Sequence, residues 1–303
     1  MQAAPIPGTL DIGTGDPVLA LHSSTSSKSQ WRALAAQLGS RHRVVAVDLH
    51  GYGSNPMPPA DRPFRLEDEV DLVVARAGAV LGPGVPMHVV GHSYGAAVAL
   101  SLAVLRPDLV RSLSLYEPVV FNVLERDGPY YPLARLLADR IEVRVDRGDL
   151  SDAARLFIDH WGGSGSYDAF DVEARQRLDR SVTKVPLDFM ALTTGPDSPD
   201  WYAAISAPTL LMAGTSSLES ARTLAKVLWA AIGSSRLVML PGDHMLPMRN
   251  PVLVNSEVAS FLRAIGHADQ RPRLTSTMPA TTSTMPQSSS RVTGSLKSRR
   301  ETA

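Results

Sequence analysis

Gly91-His92-Ser93-Tyr94-Gly95 follows an apolar run at residues 85–90 and precedes an Ala-rich stretch at residues 96–105. The apolar run is typical of a buried strand, and the Ala-rich stretch is typical of a helix. A serine between them lies on a tight strand-to-helix turn, which strains its backbone and lifts its hydroxyl clear of the sheet. The flanking glycines leave room for that turn, because a Cβ at either position would meet the crossing strand and helix. This context predicts Ser93 as a catalytic nucleophile.

Short apolar runs alternate with helical patterns along most of the chain. The runs are almost continuously apolar, as in parallel strands that helices cover on both faces. The alternation predicts an α/β fold with a mostly parallel, doubly wound sheet. The predicted strands are residues 18–21, 44–47, 87–90, 112–116, 209–212 and 237–240. The predicted helices outside the interruption described next are residues 30–38, 66–81, 96–105, 220–231 and 251–265.

The alternation is interrupted between residues 119 and 205. Three helical patterns occur there without a convincing strand, at residues 133–147, 151–161 and 172–184. An all-helical insertion between two strands of such a sheet is expected to cover the carboxyl ends of the strands, where ligands bind. We therefore predict a helical lid at residues 119–205 on a core formed by residues 1–118 and 206–266.

Residues 267–303 differ in composition from the rest of the chain. Pro, Ser, Thr and Arg dominate this segment, and large apolar side chains nearly vanish. Such a segment buries too little surface to offset the entropy of ordering it. It is therefore predicted to be a disordered tail without a catalytic part.

The overall composition excludes several classes of function. The 30 basic residues balance the 30 acidic ones, so no net charge favours nucleic acid or an anionic membrane as a partner. The absence of cysteine excludes disulfides and thiolate metal sites. The N-terminus lacks the features of a signal peptide, and no window of 18 apolar residues occurs. We expect a soluble, cytoplasmic protein with a small-molecule substrate, and the sequence leaves its oligomeric state open.

A serine nucleophile requires a base, because its hydroxyl is almost never ionised near neutral pH. His244 lies in the segment Gly242-Asp243-His244-Met245, which follows the last predicted strand and precedes the final predicted helix. A loop at a strand end, with a glycine in it, allows an imidazole to reach across the sheet edge to Ser93. His244 is therefore the predicted base.

Four motifs in this order resemble those of serine hydrolases of the α/β-hydrolase superfamily, of the lidded esterase or carbon–carbon hydrolase type. They are residues 21–24 with Trp31 downstream, residues 48–54, residues 91–95 and residues 242–245. The resemblance covers residues 8–265. It implies an α/β-hydrolase fold with an inserted lid and a triad of nucleophile, base and acid.

The resemblance also implies an oxyanion hole built from two backbone N–H groups. One belongs to Tyr94, the residue after the nucleophile, and the other to Ser24. This chain has Ser23 where the superfamily usually has glycine. A positive φ at that position would strain a serine, so Ser23 remains the alternative donor of the second amide.

The acid of the triad is absent from the position where most of the superfamily has it, about three residues after Gly214. Ser217 occupies that position. Glu117 follows the strand at residues 112–116, and Pro118 disfavours helix there, so Glu117 is left at the carboxyl end of that strand. Some members of the superfamily have their acid after this strand, and we predict Glu117 as the acid. Glu219 is the alternative, although the first turn of a helix favours acidic side chains in any case.

Two further aspartates in these motifs receive other interpretations. Asp243 is next to the predicted base, which aims its side chain poorly at the imidazole. Asp48 precedes a glycine-containing turn and is expected to accept backbone N–H bonds there, with a structural role.

These residues predict a serine-dependent hydrolase of a small carbonyl substrate, of the carboxylesterase or lactonase type, acting through an acyl-enzyme. One alternative is a carbon–carbon bond hydrolase acting on a ring-fission product or a β-diketone, since such enzymes use the same triad and lid. Another is a catalytically weak ligand-binding protein, which the displaced acid favours. No metal or organic cofactor is expected, because no ligand cluster occurs at metal spacing. A serine nucleophile argues against haloalkane dehalogenase and epoxide hydrolase chemistry, which need a carboxylate.

Overall fold

The computed structural model describes residues 6–196 and 198–269. In this part of the chain, seven strands form one sheet in the order β1-β3-β2-β4-β5-β6-β7. The strands are β1 Thr9–Gly13, β2 Asp16–Leu21, β3 His42–Val47, β4 Met87–His92, β5 Val110–Tyr116, β6 Thr209–Gly214 and β7 Ser235–Leu240. β1 pairs antiparallel with β3, and every other neighbouring pair is parallel. The predicted mostly parallel, doubly wound sheet is confirmed.

The helices cover both faces of this sheet. They are α1 Arg32–Leu38, α2 Leu66–Leu81, α3 Tyr94–Leu105, α4 Tyr131–Arg147, α5 Leu150–Gly162, α6 Val172–Ser181, α7 Val185–Thr194, α8 Glu219–Ala231, α9 Leu246–Arg249 and α10 Pro251–Asp269. Apolar side chains of α2, α3 and α8 pack on one face, and those of α1 and α10 pack on the other. Because the central strands are buried on both faces, they contain long apolar runs.

Three elements, β1, α6 and α7, differ from the sequence predictions. β1 was not predicted, because it is a short edge strand whose residues are mostly half-buried and give no apolar run. The pattern at residues 172–184 predicted one helix, but α6 ends at Ser181 and a 3-10 turn, Val182–Lys184, follows it. The next helix, α7, was not predicted and has Pro186 in its first turn, where proline is tolerated. A proline at that place cannot continue a preceding helix, and it fixes the break.

The helical insertion, residues 119–205, connects β5 to β6 and contains α4 to α7. Its buried side chains belong to the same apolar cluster as α2 and α3, so the insertion packs on the core rather than beside it. α10 extends to Asp269 and so includes the first three residues of the segment predicted to be a tail. The rest of the predicted tail, residues 270–303, lies outside the described residues. None of the described helices is long and apolar enough to cross a membrane.

Candidate active site

Ser93 lies between the end of β4 and the start of α3, and its backbone has φ 55° and ψ −117°. This strained conformation is the one that the strand-to-helix turn predicts. A Cβ on Gly95 would lie 2.4 Å from the carbonyl oxygens of Leu21 and His22, and one on Gly91 would lie 2.6 Å from Ala96 Cα. Glycine at both positions is therefore required for the close crossing of β2, β4 and α3.

His244 and Ser93 are hydrogen-bonded, with 2.9 Å between His244 Nε2 and Ser93 Oγ. Both side chains are buried. The loop after β7 brings the imidazole to the carboxyl end of β4. The two atoms lie at the distance needed for direct proton transfer from the hydroxyl to the imidazole.

Glu117 lies on the other side of the imidazole, with its Oε2 2.6 Å from His244 Nδ1. It is fully buried and has φ 45°, a left-handed conformation that is uncommon for a residue other than glycine. Glu219, the alternative acid, is the first residue of α8, and its side chain is exposed. Asp243 accepts a hydrogen bond from Arg249 at 2.6 Å and points away from the imidazole. The structure thus brings Glu117, and not Glu219 or Asp243, to His244.

Ser217, in the usual position of the acid, is directly connected to Glu117. Its hydroxyl donates to Glu117 Oε1, and the Gly214 N–H donates to the same oxygen at 2.6 Å. Glu117 Oε2 is left to accept from His244. The carboxylate is therefore held by one donor from the end of β6 and one from the loop after it, which orients it toward the imidazole.

The amides predicted for the oxyanion hole lie at the ends of β2 and β4. The Ser23 N–H donates to Gln30 Oε1 at 3.1 Å, so it is already used, and this leaves Ser24 as the candidate. Ser23 does not have the positive φ considered for it; the left-handed residue in this loop is Thr25, with φ 59°. Tyr94 is the first residue of α3, where a backbone N–H has no acceptor within the helix.

Two further side chains at the site, Gln30 and His92, make contacts that were not predicted from the sequence. The Nε2–H of His92 donates to the carbonyl oxygen of His244 at 2.8 Å, and Gln30 Nε2 donates to His92 Nδ1 at 3.1 Å. Gln30 Oε1 also accepts from Ser23, so these two residues connect the His244 loop with the loop after β2. Nothing in the local sequence marks these contacts, because they join segments 62 and 152 residues apart.

Histidines close to the site are held neutral by burial. Burial lowers the pKa of His22 to about 4, and its Nε2 accepts from the Leu49 N–H at 3.0 Å. Burial and the neighbouring His244 hold the pKa of His92 well below its usual range. The same two causes lower the pKa of His160, in α5, to about 4. Near neutral pH these three imidazoles add no positive charge beside His244.

Asp48 has a structural environment, as the sequence predicted. Its carboxylate accepts from the backbone N–H groups of Lys28 and Ser54, at 2.7 and 3.0 Å, and from Lys28 Nζ at 2.6 Å. These bonds hold the pKa of Asp48 below its usual range, although burial alone would raise it. Asp48 thus ties the loop after β3 to the loop after β2.

A cavity of about 590 Å³ opens at Ser93 and His244. One wall comes mainly from the helical insertion and carries the apolar side chains of Phe157, Ile158, Trp161, Phe170 and Leu178, together with Arg177, Arg180 and Ser181. The opposite wall carries serine hydroxyls from the loop after β2, between residues 23 and 29. The Trp161 ring stacks on the imidazole of His244, with 4.2 Å between ring centroids and 28° between planes. Within residues 6–196 and 198–269, no group of three or more His, Asp or Glu side chains is arranged to hold a metal ion.

Comparison with known proteins covers most of the chain. The sequence profile of the alpha/beta hydrolase family matches residues 18–257. A haloalkane dehalogenase of Agrobacterium fabrum is 36% identical over 115 residues, which are 38% of this chain and 36% of that protein. The chain thus covers only about a third of that relative. A 2-(acetamidomethylene)succinate hydrolase of Mesorhizobium japonicum is 28% identical over 282 residues, which are 83% of this chain and 90% of that protein.

A similar solved structure is that of a thermophilic esterase from Thermogutta terrifontis. It has a TM-score of 0.68 and 25% sequence identity, over 85% of this chain and 93% of that one. The sheet and the sequence profile therefore agree with one another.

Proposed function

The chain belongs to the alpha/beta hydrolase family, and we propose that it hydrolyses a small carboxylic ester or lactone through an acyl-enzyme on Ser93. The observation that carries this proposal is the hydrogen-bonded series through His244. Its Nε2 lies 2.9 Å from Ser93 Oγ, and its Nδ1 lies 2.6 Å from Glu117 Oε2. This is the geometry of nucleophile, base and acid.

In the first step, Ser93 Oγ attacks the carbonyl carbon while its proton moves to His244 Nε2. Glu117 accepts the Nδ1–H, which fixes the tautomer that leaves Nε2 free to take the proton. The imidazolium that forms is stabilised by the Glu117 carboxylate and by the face of Trp161 stacked on it.

The negative charge that develops on the carbonyl oxygen is stabilised by the backbone N–H groups of Ser24 and Tyr94. Each donor of this kind contributes about 2.7–4 kcal/mol to lowering the barrier. The imidazolium then returns its proton to the departing alkoxide, which leaves as an alcohol. Water, deprotonated by His244, next attacks the acyl-enzyme and releases the acid.

The two walls of the cavity support a substrate with one apolar part. Phe157, Trp161 and Phe170 offer an apolar and aromatic surface, while serine hydroxyls line the side where the oxyanion forms. A volume of about 590 Å³ is within the range of cavities that hold small organic ligands. The proposed substrate is therefore a small ester or lactone with an apolar acyl or alcohol group.

Other functions have less support. Haloalkane dehalogenation, the activity in the name of one relative, needs a carboxylate nucleophile, and this chain has Ser93 instead. A weak ligand-binding protein was favoured by the displaced acid, and the hydrogen bond from His244 to Glu117 removes that reason. A carbon–carbon bond hydrolase would use the same three side chains and is separated from the ester hydrolase by assay.

The proposal is tested with a fluorophosphonate probe and short p-nitrophenyl esters. The wild-type protein should be labelled covalently on Ser93 and should hydrolyse the esters, while Ser93→Ala should do neither. Glu117→Gln should lower kcat by about 10⁴-fold, because the imidazole loses its orienting carboxylate. Glu219→Gln is the matched control and should leave kcat unchanged.

Three results would contradict parts of the proposal. A wild-type protein that is neither labelled nor active on any ester would favour the ligand-binding alternative. Activity on a ring-fission product without activity on esters would favour the carbon–carbon hydrolase. A loss of activity in Glu219→Gln, with Glu117→Gln active, would exchange the roles of the two acids.

A further inference from the structure

A fully buried group of charges lies where the helical insertion meets the core. Lys184, in the 3-10 turn before α7, donates to the Asp188 carboxylate, to Glu69 Oε1 at 2.8 Å and to the Tyr94 hydroxyl at 3.2 Å. The side chains of Lys184 and Glu69 have no exposed surface, and Asp188 has almost none. Burial alone would lower the pKa of Lys184, but the charges of Asp188 and Glu69 outweigh burial and raise it, so the ammonium stays protonated.

Asp188 also accepts two hydrogen bonds from the core. Its Oδ2 accepts from the Tyr52 hydroxyl and from Ser24 Oγ, both at 2.5 Å. Tyr52 is in the loop after β3, and Ser24 is in the loop after β2. One carboxylate of the insertion therefore holds two loops at the carboxyl edge of the sheet.

Glu69 connects the same group to the residue after the nucleophile. Its Oε1 accepts from the Tyr94 hydroxyl at 3.2 Å, and its Oε2 accepts from the His50 N–H at 3.0 Å. Ser24 and Tyr94 are the two residues whose amides are proposed to bind the oxyanion. Their side chains thus bind to one ionic group, although their amides belong to different strand ends.

Stability alone does not account for a group of this kind. Burying one ammonium with two carboxylates removes all three from water, and well-packed apolar side chains of the same volume serve stability as well or better. Thr25, directly after Ser24, has φ 59°, a left-handed conformation that is rare for a β-branched residue. Such a conformation persists only where the surroundings fix it, and these residues are concentrated at functional sites.

We propose that Lys184, Asp188 and Tyr52 are positioning residues that fix the Ser24 amide for oxyanion binding, so that the helical insertion contributes to catalysis through the loop after β2. This inference rests on the proposed hydrolase function. None of the three lines the cavity at Ser93, and they act through the Ser24 hydroxyl and the backbone next to it. Without them, the Ser24 N–H is expected to move away from the position that the oxyanion occupies in the transition state.

The chain contains a matched control for this group. Asp179, also in the insertion, accepts from the Tyr167 hydroxyl and from Ser151 Oγ, both at 2.7 Å. Neither Tyr167 nor Ser151 lines the cavity at Ser93. Tyr167→Phe and Ser151→Ala therefore remove the same chemical groups from a carboxylate whose two hydroxyl donors belong to the insertion itself.

The test compares Tyr52→Phe, Ser24→Ala and Asp188→Asn with Tyr167→Phe and Ser151→Ala. For a p-nitrophenyl ester, the first three should lower kcat about 10- to 100-fold with little change in KM, because a misplaced donor affects the transition state more than the bound ester. The inhibition constant of a trifluoromethyl ketone, which forms a tetrahedral oxyanion adduct on serine, should rise by a similar factor. The two control variants should match the wild type in both measurements.

The two proposals fail in different ways. A wild-type protein that is neither labelled by fluorophosphonate nor active on esters overturns the proposed function and this inference with it. An active wild type whose Tyr52→Phe and Ser24→Ala variants match the control variants overturns only the inference. So does a rise in KM at unchanged kcat. If Asp188→Asn does not fold, as judged by circular dichroism, the variants of Tyr52 and Ser24 decide the outcome.

Discussion

Asp188 and Asp179 belong to the same helical insertion, and each accepts one serine and one tyrosine hydroxyl. The two hydroxyls that donate to Asp188 come from the core, 164 and 136 residues away along the chain. The donors to Asp179 come from the insertion itself, 28 and 12 residues away. Asp188 is buried beside Lys184, whereas Asp179 is only half-buried. The same hydrogen-bonding groups thus serve two purposes, since one set holds the insertion together and the other joins it to the edge of the sheet that carries Ser93.

The largest expected difference between the two regions concerns the charge of Lys184. Lys184→Met leaves the carboxylates of Glu69 and Asp188 buried without their cation, and we expect the free energy of unfolding to fall by about 3–5 kcal/mol. Arg155→Met is the control, because Arg155 pairs with Asp168 on the exposed side of the insertion. It should unfold in urea close to the wild-type midpoint, since solvent screens exposed pairs. Equal midpoints for the two variants would mean that the buried group is no more important to folding than a surface pair.

A second comparison of the two regions concerns the dependence of stability on pH. Burial lowers the pKa of His22 to about 4 in the folded protein, while an unfolded chain keeps the usual value of 6.5. Above about pH 6.5 the imidazole is neutral in both states and has no effect on stability. As the pH falls from about 6.5 to about 4, the unfolded state binds a proton that the folded state does not, so stability is lost.

At about pH 5 this loss amounts to about 2 kcal/mol for His22. Urea unfolding at about pH 7.5 and about pH 5 should therefore show a smaller pH-dependent loss for His22→Gln than for the wild type, by about that amount. His22 is in the loop after β2, which also contains Ser24, a donor to Asp188. His160 is in α5, which also contains Ser151, a donor to Asp179. His160→Gln should reduce the pH-dependent loss by a similar amount, because burial and His244 lower the pKa of His160 to about 4 as well. A pH-dependent loss that neither substitution reduces would contradict the prediction for both regions.

The sequence predicted the sheet, and the meeting of Ser93, Glu117 and His244 at its edge, for the same physical reason. Buried parallel strands contain continuous apolar runs, and Ser93, Glu117 and His244 all follow such runs, so their meeting at one edge follows from the fold. Their catalytic roles remain predictions. The helix α7 was missed because residues 185–194 are buried on most sides and have no polar face, and β1 was missed because it is a short edge strand.

The buried group around Lys184 had no comparable signal. A lysine in Thr183-Lys184-Val185 is typical of an exposed position, and its contacts with Glu69 and Tyr94 span 115 and 90 residues. The spacing of four residues between Lys184 and Asp188 fits a helical ion pair, but exposed pairs on helix surfaces have the same spacing. Only the packing of the insertion on α2 distinguishes the two cases. Contacts of this range are decided by tertiary structure, and no local period of the sequence records them.

The smallest expected difference is in how the two hydroxyls on each carboxylate depend on one another. Ser24 and Tyr52 donate to the same oxygen, Oδ2 of Asp188, whereas Ser151 and Tyr167 donate to different oxygens of Asp179. When two donors share a buried oxygen, losing one lets the other strengthen, and losing both leaves the oxygen unsatisfied. The double variant Ser24→Ala/Tyr52→Phe should therefore lose more stability than the sum of the single variants, by about 0.5–1 kcal/mol in a double-mutant cycle.

The cycle for Ser151→Ala and Tyr167→Phe should be additive within about 0.3 kcal/mol, because each hydroxyl has its own acceptor and solvent replaces it. Equal coupling energies in the two cycles would show that burial and the shared oxygen do not distinguish Asp188 from Asp179.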